Sequence, residues 1–171
     1  KIPIWIKNTT RPAEAGTLIG YEKRNGTKNI IKGISSISDI SLLTLQGAGM
    51  VGVTGISMRL FTSLAKENIN VILISQASSE NSISVAVHGS FAEKAEEAIN
   101  RDFHFEIENG LVNGVKVESD LSIVAVVGEN MKESTGIAGK LFNIIGKNGI
   151  NVRAIVQGAS ELNISWVVKN S

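Results

Sequence analysis

Cysteine is absent from the 171 residues, so disulfides, thiol nucleophiles and cysteine-based metal sites are excluded. That absence fits a reducing compartment and makes a cytoplasmic location the expectation. No charge of one sign predominates: 17 basic and 16 acidic side chains leave a formal +1. Lys and Arg are scattered rather than run together, so neither nucleic acid nor an anionic membrane is expected as a partner. Long apolar runs are missing too. Val71 to Ile74 and Leu121 to Val127 are far too short to cross a bilayer. Pro3 and the polar residues behind it cut short the apolar start Lys1-Ile-Pro-Ile-Trp-Ile, so this segment is not expected to be a signal peptide. The first residue is Lys rather than Met, which implies residues ahead of it. The two histidines, His88 and His104, are far apart and have no second His or Cys nearby, so no metal site is expected. No Ser-His-Asp set can be assembled, and no catalytic residue is assigned.

What the chain has is enough apolar material to fold, with 43% hydrophobic and 19% charged residues. It also repeats itself. Displaced by about 81 positions, the sequence matches its own second half without a gap. Ser41-Leu-Leu-Thr-Leu-Gln-Gly-Ala-Gly-Met50 falls on Ser122-Ile-Val-Ala-Val-Val-Gly-Glu-Asn-Met131, and Thr54-Gly-Ile-Ser-Met-Arg-Leu-Phe61 on Thr135-Gly-Ile-Ala-Gly-Lys-Leu-Phe142. Ile69-Asn-Val71, Ile74-Ser-Gln76 and Ser79-Glu80 recur as Ile150-Asn-Val152, Ile155-Val-Gln157 and Ser160-Glu161. Roughly 20 of about 50 paired positions are identical.

Each copy reads as strand, loop, helix, strand, strand. Apolar, branched runs predict strands over 41–46 and 121–127. Thr54 is placed to cap a helix whose apolar face is Ile56, Leu60, Phe61 and Leu64. Its copy follows Thr135 with Ile137, Leu141, Phe142 and Ile145. Asn68, and Asn148-Gly149 in the copy, can stop these helices in a left-handed conformation. Strands are predicted over 71–76 and 152–157. A polar turn at 78–81 follows, then an alternating strand through Ile83, Val85 and Val87. The first copy adds a helix over 91–103 with Phe91, Ala95, Ala98 and Ile99 inward. A helical crossover followed by a hairpin gives a small α+β sandwich of ferredoxin-like type. The second copy runs out of chain before its second helix and last strand. Residues 1 to about 30 lie outside the repeat, with Asn25-Gly26-Thr27-Lys28-Asn29 read as a surface loop.

Gly47-Ala-Gly49-Met-Val-Gly52 fits a G-x-G-x-x-G dinucleotide fingerprint between strand and helix. Three features oppose that reading. The copy has carboxylates in this loop (Gly128-Glu-Asn-Met-Lys-Glu133), the strand at 71–76 has no acidic residue for a ribose, and a hairpin follows instead of a second crossover. The glycines are read as a tight turn. A loop entering a helix N-terminus still offers free N–H groups to a carboxylate, and an amino acid carries one. The alternative is that Gly47, Gly55, Gly128 and Gly136 only let the loop pass close to the sheet. Gln76 and Gln157 end apolar runs with a neutral amide. Each is either an internal brace or a specificity group for a ligand hydroxyl.

These residues resemble the C-terminal regulatory region of aspartokinase (aspartate kinase), which carries two ACT domains in tandem. The resemblance covers the whole chain. Ile6-Lys-Asn-Thr9 through Gly16-Thr-Leu-Ile19 resembles the end of the kinase domain, and Lys32-Gly-Ile-Ser35 the lead-in to the first ACT strand. Leu73-Ile-Ser-Gln-Ala-Ser-Ser-Glu80 and Ala154-Ile-Val-Gln-Gly-Ala-Ser-Glu161 resemble the family's most specific motifs. Phe103-His-Phe-Glu-Ile-Glu-Asn-Gly-Leu111 is most similar to the bifunctional form, joined to homoserine dehydrogenase.

The fold implied is α+β, two ferredoxin-like βαββ(αβ) ACT domains in tandem. Residues 1–30 would be kinase tail and linker, 31–117 the first ACT domain, and 118–171 a C-terminally incomplete second. The resemblance also implies that the second domain is inserted in the first, leaving the first sheet a strand short. Its functional implication is an allosteric module that binds an end-product amino acid and controls phosphorylation of aspartate by ATP. ATP and Mg would belong to the missing kinase domain, with no cofactor in this fragment. Carried across, the effector contacts are Met50, Val53, Gly55, Ile56, Asn70, Ile72, Ile74 and Gln76. In the second copy they are Met131, Ser134, Gly136, Ile137, Asn151, Ile155 and Gln157. Lysine-sensitive relatives place an acid where this chain has Ile72 and Arg153, while Gln76 and Gln157 resemble the threonine-sensitive pattern. The alternatives are a lysine-responsive module and a dimerisation module without ligand. Exposed sheet edges and apolar helix-free faces need covering, and a homodimer through side-by-side sheets is expected.

Overall fold

The computed structural model describes residues 2–20, 30–132 and 134–170. The loop expected at Asn25-Gly26-Thr27-Lys28-Asn29 lies outside them. Strands β1 (Ile4–Ile6) and β2 (Thr17–Ile19) form an antiparallel hairpin, a two-stranded sheet of its own with Ile4, Trp5, Ile6, Leu18 and Ile19 exposed. The rest of the order is β3 (Gly33–Gln46), α1 (Ile56–Lys66), β4 (Leu73–Gln76), β5 (Ser82–His88), α2 (Ala92–Asp102), α3 (His104–Glu108), β6 (Lys116–Val127), α4 (Ile137–Lys147), β7 (Val152–Gln157) and β8 (Asn163–Lys169). One six-stranded antiparallel sheet runs β4-β5-β3-β6-β8-β7.

Strands β3 and β6 are longer than their apolar runs predict, and the extra length serves the other repeat. Gly33 to Ile37 pairs with Val127 to Ile123, while Leu42 to Thr44 pairs with Glu118 to Lys116. The first half of β6 is therefore the fourth strand of the first unit, and the first half of β3 is the fourth strand of the second. This corrects the insertion order expected above. The first unit is continuous and short of no strand, and the second unit takes its last strand from ahead of the first. The first half of β3, Gly-Ile-Ser-Ser-Ile-Ser-Asp, is exposed throughout, so no buried stripe announced it. Both long strands bend at a left-handed aspartate, Asp39 (φ 57°) and Asp120 (φ 61°), where the β3–β6 register breaks between Ile37 and Leu42. A bulge of this kind increases twist and redirects a strand.

The bend folds the sheet on itself. The two helix-free faces meet in one cluster of Ile40, Leu42, Leu73, Ala86, Leu121, Ile123 and Val167, and edge strands β4 and β7 come within 8 Å Cα to Cα. The apolar faces thus cover each other within one chain. On the outer face of the first unit, Leu43, Leu45, Ile83, Val85 and Val87 pack under Leu60 and Leu64 of α1 and Ala95 and Ile99 of α2. In the second unit, Val126, Ile164 and Trp166 pack against Ile145 of α4, with Phe142 edge-on to Trp166 at 6.1 Å. Two local expectations fail. Gly55 in the left-handed region, not Thr54, is the N-cap of α1, which has no side-chain cap. Phe91 is 42% exposed rather than inward, because α2 begins one residue later and the turn at Gly89–Phe91 swings the ring out. Asn68 (φ 56°) and Gly149 (φ 71°) do take the left-handed conformation beyond α1 and α4.

A lead-in strap crosses each loop. Asn113 N–H donates to the Gln46 carbonyl and Lys32 N–H to the Val127 carbonyl, each at 2.7 Å. Glycine is required beneath both straps. A Cβ on Gly47 would stand 2.4 Å from the Leu111 carbonyl oxygen, and one on Gly128 2.0 Å from that of Ile30. Gly128→Ala should therefore cost about 1–3 kcal/mol by forcing backbone apart, read as a lowered denaturant midpoint, whereas Gly139→Ala, with open space around it, should not lower it.

Helices α1, α2 and α3 are held by a polar clamp. Arg59 lies 4.4 Å over the Phe103 ring, donates to both carboxylate oxygens of Glu106 (Nη2–Oε2 3.1 Å) and caps the Asp102 carbonyl at 2.7 Å. Buried Ser63 donates to Asp102 at 2.8 Å. Hydrogen bonds from Arg59 hold the Glu106 carboxyl below its ordinary range, and Ser63, with Lys66 and Arg101, does the same for Asp102. Arg101 and Lys94 lower Glu67. Lowered folded-state values mean that the unfolded chain binds more protons in acid. The clamp's contribution should be complete above the ordinary carboxylate range and fall as pH drops through the folded values. Denaturant melts from pH 7 to pH 3 should show this loss, reduced in Ser63→Ala.

Candidate functional site

The loop after β3 carries the most distinctive local geometry. A single 3-10 turn, Ala48–Met50, seats Met50 in the core at 2% exposure, and Gly55 (φ 88°) then turns the chain into α1. With no capping side chain and no acid in its first turn, α1 presents free N–H groups and the positive end of its dipole. β4 ends beside this loop at Gln76, opposite Ile83 of β5. Between them is a cavity of about 450 Å³ lined by Met50, Gly52, Val53, Thr54, Gly55, Ile56, Ser57, Met58, Gln76, Glu80 and Ile83. The size suits a small metabolite.

Five of the expected effector residues, Met50, Val53, Gly55, Ile56 and Gln76, line this cavity. Asn70, Ile72 and Ile74 do not. They belong to the run into β4 and its outer part, and Asn70 is exposed at the far end from the loop. Ile72 and Ile74 instead line a second cavity, of about 430 Å³, with Ser35, Ile37, Ile123, Val156 and Ser165. The repeat offset maps Ile37 and Ile72 onto Glu118 and Arg153, which form a salt bridge at 2.7 Å. In the second copy Met131 is buried, Gly136 (φ 80°) is the N-cap of α4, Ile137 and Ser134 are half-buried, and Asn151, Ile155 and Gln157 are exposed.

The amides are not buried. Gln76 and Gln157 are exposed at their strand ends, and among the described residues neither side chain has a protein hydrogen-bond partner. Each lies at the rim, where the sheet stops, so the internal-brace alternative fails. Six lining residues, Gly52, Thr54, Ser57, Met58, Glu80 and Ile83, were not among those expected. The exact recurrence of Ser79-Glu80 as Ser160-Glu161 was the available signal for Glu80. Among the described residues no group of three or more His, Asp or Glu could hold a metal ion. His88 pairs with Asp39 and His104 with Glu108, both at 3.3 Å. Among the described residues no helix is long and apolar enough to cross a membrane.

The ACT domain family model matches residues 43–103 and again 124–171. The chain belongs to the ACT domain family. The two ACT matches fall on the two repeats, and the tandem α+β arrangement is the one the sequence led us to expect. Over 99% of its length the chain is 37% identical to a bifunctional aspartokinase/homoserine dehydrogenase of Buchnera aphidicola, covering 21% of that protein. Among solved structures it is similar to Clostridium acetobutylicum aspartate kinase (TM-score 0.81, 25% identity, 98% of this chain, 38% of that one). It is also similar to E. coli aspartokinase III in complex with lysine and aspartate (TM-score 0.71, 25% identity, 98% and 36%). The chain thus spans about a fifth of the curated relative's length. Because the amides of both ACT repeats are exposed and unbonded, Gln76→Ala and Gln157→Ala should each change stability by less than about 0.5 kcal/mol. A drop in melting temperature of several degrees would show a bracing role instead.

Proposed function

We propose that this chain is the allosteric regulatory region of an aspartokinase, binding an end-product amino acid, threonine in preference, and controlling phosphorylation of aspartate by ATP. The observation that carries the reading is the cavity at the start of α1. A free helix N-terminus, polar groups and apolar walls converge there at a size suited to one amino acid. Threonine is favoured over lysine because Ile72 offers no charge to an ε-ammonium and Arg153 is already paired with Glu118. The Gln76 amide, with both donor and acceptor free at the rim, suits a hydroxyl. ATP and Mg²⁺ would be handled by residues outside this chain, and a cytoplasmic site of action goes with the reading.

Dimerisation through the β4 edge is part of the proposal. β4 has a ladder partner on one side, β5. Asn70 and Ile72 stand at one end of the strand and Gln76 with the cavity at the other. An antiparallel β4–β4 pairing with a second copy would bring Asn70 and Ile72 of each chain to the cavity of the other, completing the effector set. Calorimetry with threonine, lysine and methionine tests the ligand, with threonine expected to bind most tightly. Gln76→Ala should weaken threonine about 5- to 100-fold. Sedimentation should give a dimer at tens of micromolar. Absence of binding by all three amino acids would leave the dimerisation-module alternative.

A further inference from the structure

Glu80 stands out among the cavity residues. It is the one charged side chain in the lining, and its backbone is left-handed at φ 57°, as is that of Glu161 at the matching position. Glycine or asparagine would adopt that conformation at lower cost. Two copies of a turn that each keep glutamate there point to a use for the side chain. Glu80 Oε2 accepts from the Gly52 N–H at 3.1 Å, a contact that reaches from the β4–β5 turn across the mouth to the loop after β3. Oε1 has no protein donor among the described residues, and no Lys, Arg or His pairs with the carboxylate.

The cavity therefore has two opposite poles. The uncapped start of α1 is positive and favours a carboxylate, while Glu80 is negative and retains acceptor capacity. We infer that Glu80 receives the α-ammonium of the bound amino acid, so that the cavity selects zwitterions over simple carboxylates. This rests on the amino-acid reading above and adds the group that recognises the amine. A charge-assisted N–H···O bond on Oε1 leaves Oε2 on the Gly52 N–H, so ligand capture also ties the turn to the loop.

The test compares threonine with 3-hydroxybutanoate, which is threonine without its amino group, by calorimetry on the intact protein. Wild type should bind threonine about 10- to 100-fold more tightly. Glu80→Gln keeps an oxygen for the Gly52 N–H and removes the charge. It should weaken threonine by a similar factor, leave 3-hydroxybutanoate unchanged and leave the melting temperature unchanged. Equal affinity of wild type for the two compounds overturns the inference without recourse to the variant. So does a Glu80→Gln variant that binds threonine as wild type does, or that weakens both compounds equally. A wild type that binds none of threonine, lysine and methionine overturns the amino-acid reading itself, which is a separate result.

Discussion

Everything in the body of this molecule hangs on the pairing of β3 with β6. Each strand is the first of its own repeat in one half and the last of the other repeat in its other half. Main-chain hydrogen bonds from two units thus run through one ladder, and the bend at Asp39 and Asp120 decides where one unit ends and the other begins. The same bend brings Leu42, Leu73 and Ala86 against Ile123 and Val167. An apolar face that a single sandwich would have to hide with a partner is hidden inside the chain. What remains open to a partner is the strand edge, which is a main-chain surface more than a hydrophobic one.

The repeat, the helices and the buried strands were legible because burial writes a period into the sequence. Ile56, Leu60 and Leu64 recur at helical spacing, and Ile83, Val85 and Val87 alternate, each set facing one core. The first half of β3 was not legible for the same reason in reverse. Ser35, Ser36 and Ser38 face solvent, and a strand held by its ladder alone leaves no apolar pattern. The insertion order was misread with it. At the site, the loop residues were found through their glycines and their recurrence. Gln76 and Gln157 were judged by the apolar residues before them, although a strand's last residue already lies at the rim. Glu80 lies in the polar turn read at 78–81, and its bond to Gly52 joins residues that only the hairpin brings together.

The two copies have kept their backbone and diverged in what fills it. Left-handed positions recur at Asp39 and Asp120, Asn68 and Gly149, Glu80 and Glu161, Gly55 and Gly136. Yet the cleft beside β4 is aliphatic at Ile37 and Ile72, while its counterpart beside β7 is spanned by Glu118 and Arg153. The polar clamp of Arg59, Asp102 and Glu106 depends on α2 and α3, to which the second repeat has no described equivalent. The architecture is symmetric where the main chain dictates it and asymmetric wherever side chains are free to vary.

The crossing of β3 and β6 has a further consequence for what one repeat could be by itself. Separated after Gly110, the two lengths of chain would each carry a lead strand belonging to the other's sheet. That is the connectivity of a strand-exchanged dimer with its two protomers written into one polypeptide. A lone repeat folding this way would bury its sheet only by trading its lead strand with a twin. Covalent linkage replaces that concentration-dependent encounter with an internal one, and it frees each half to change its own side chains without unmaking the exchange.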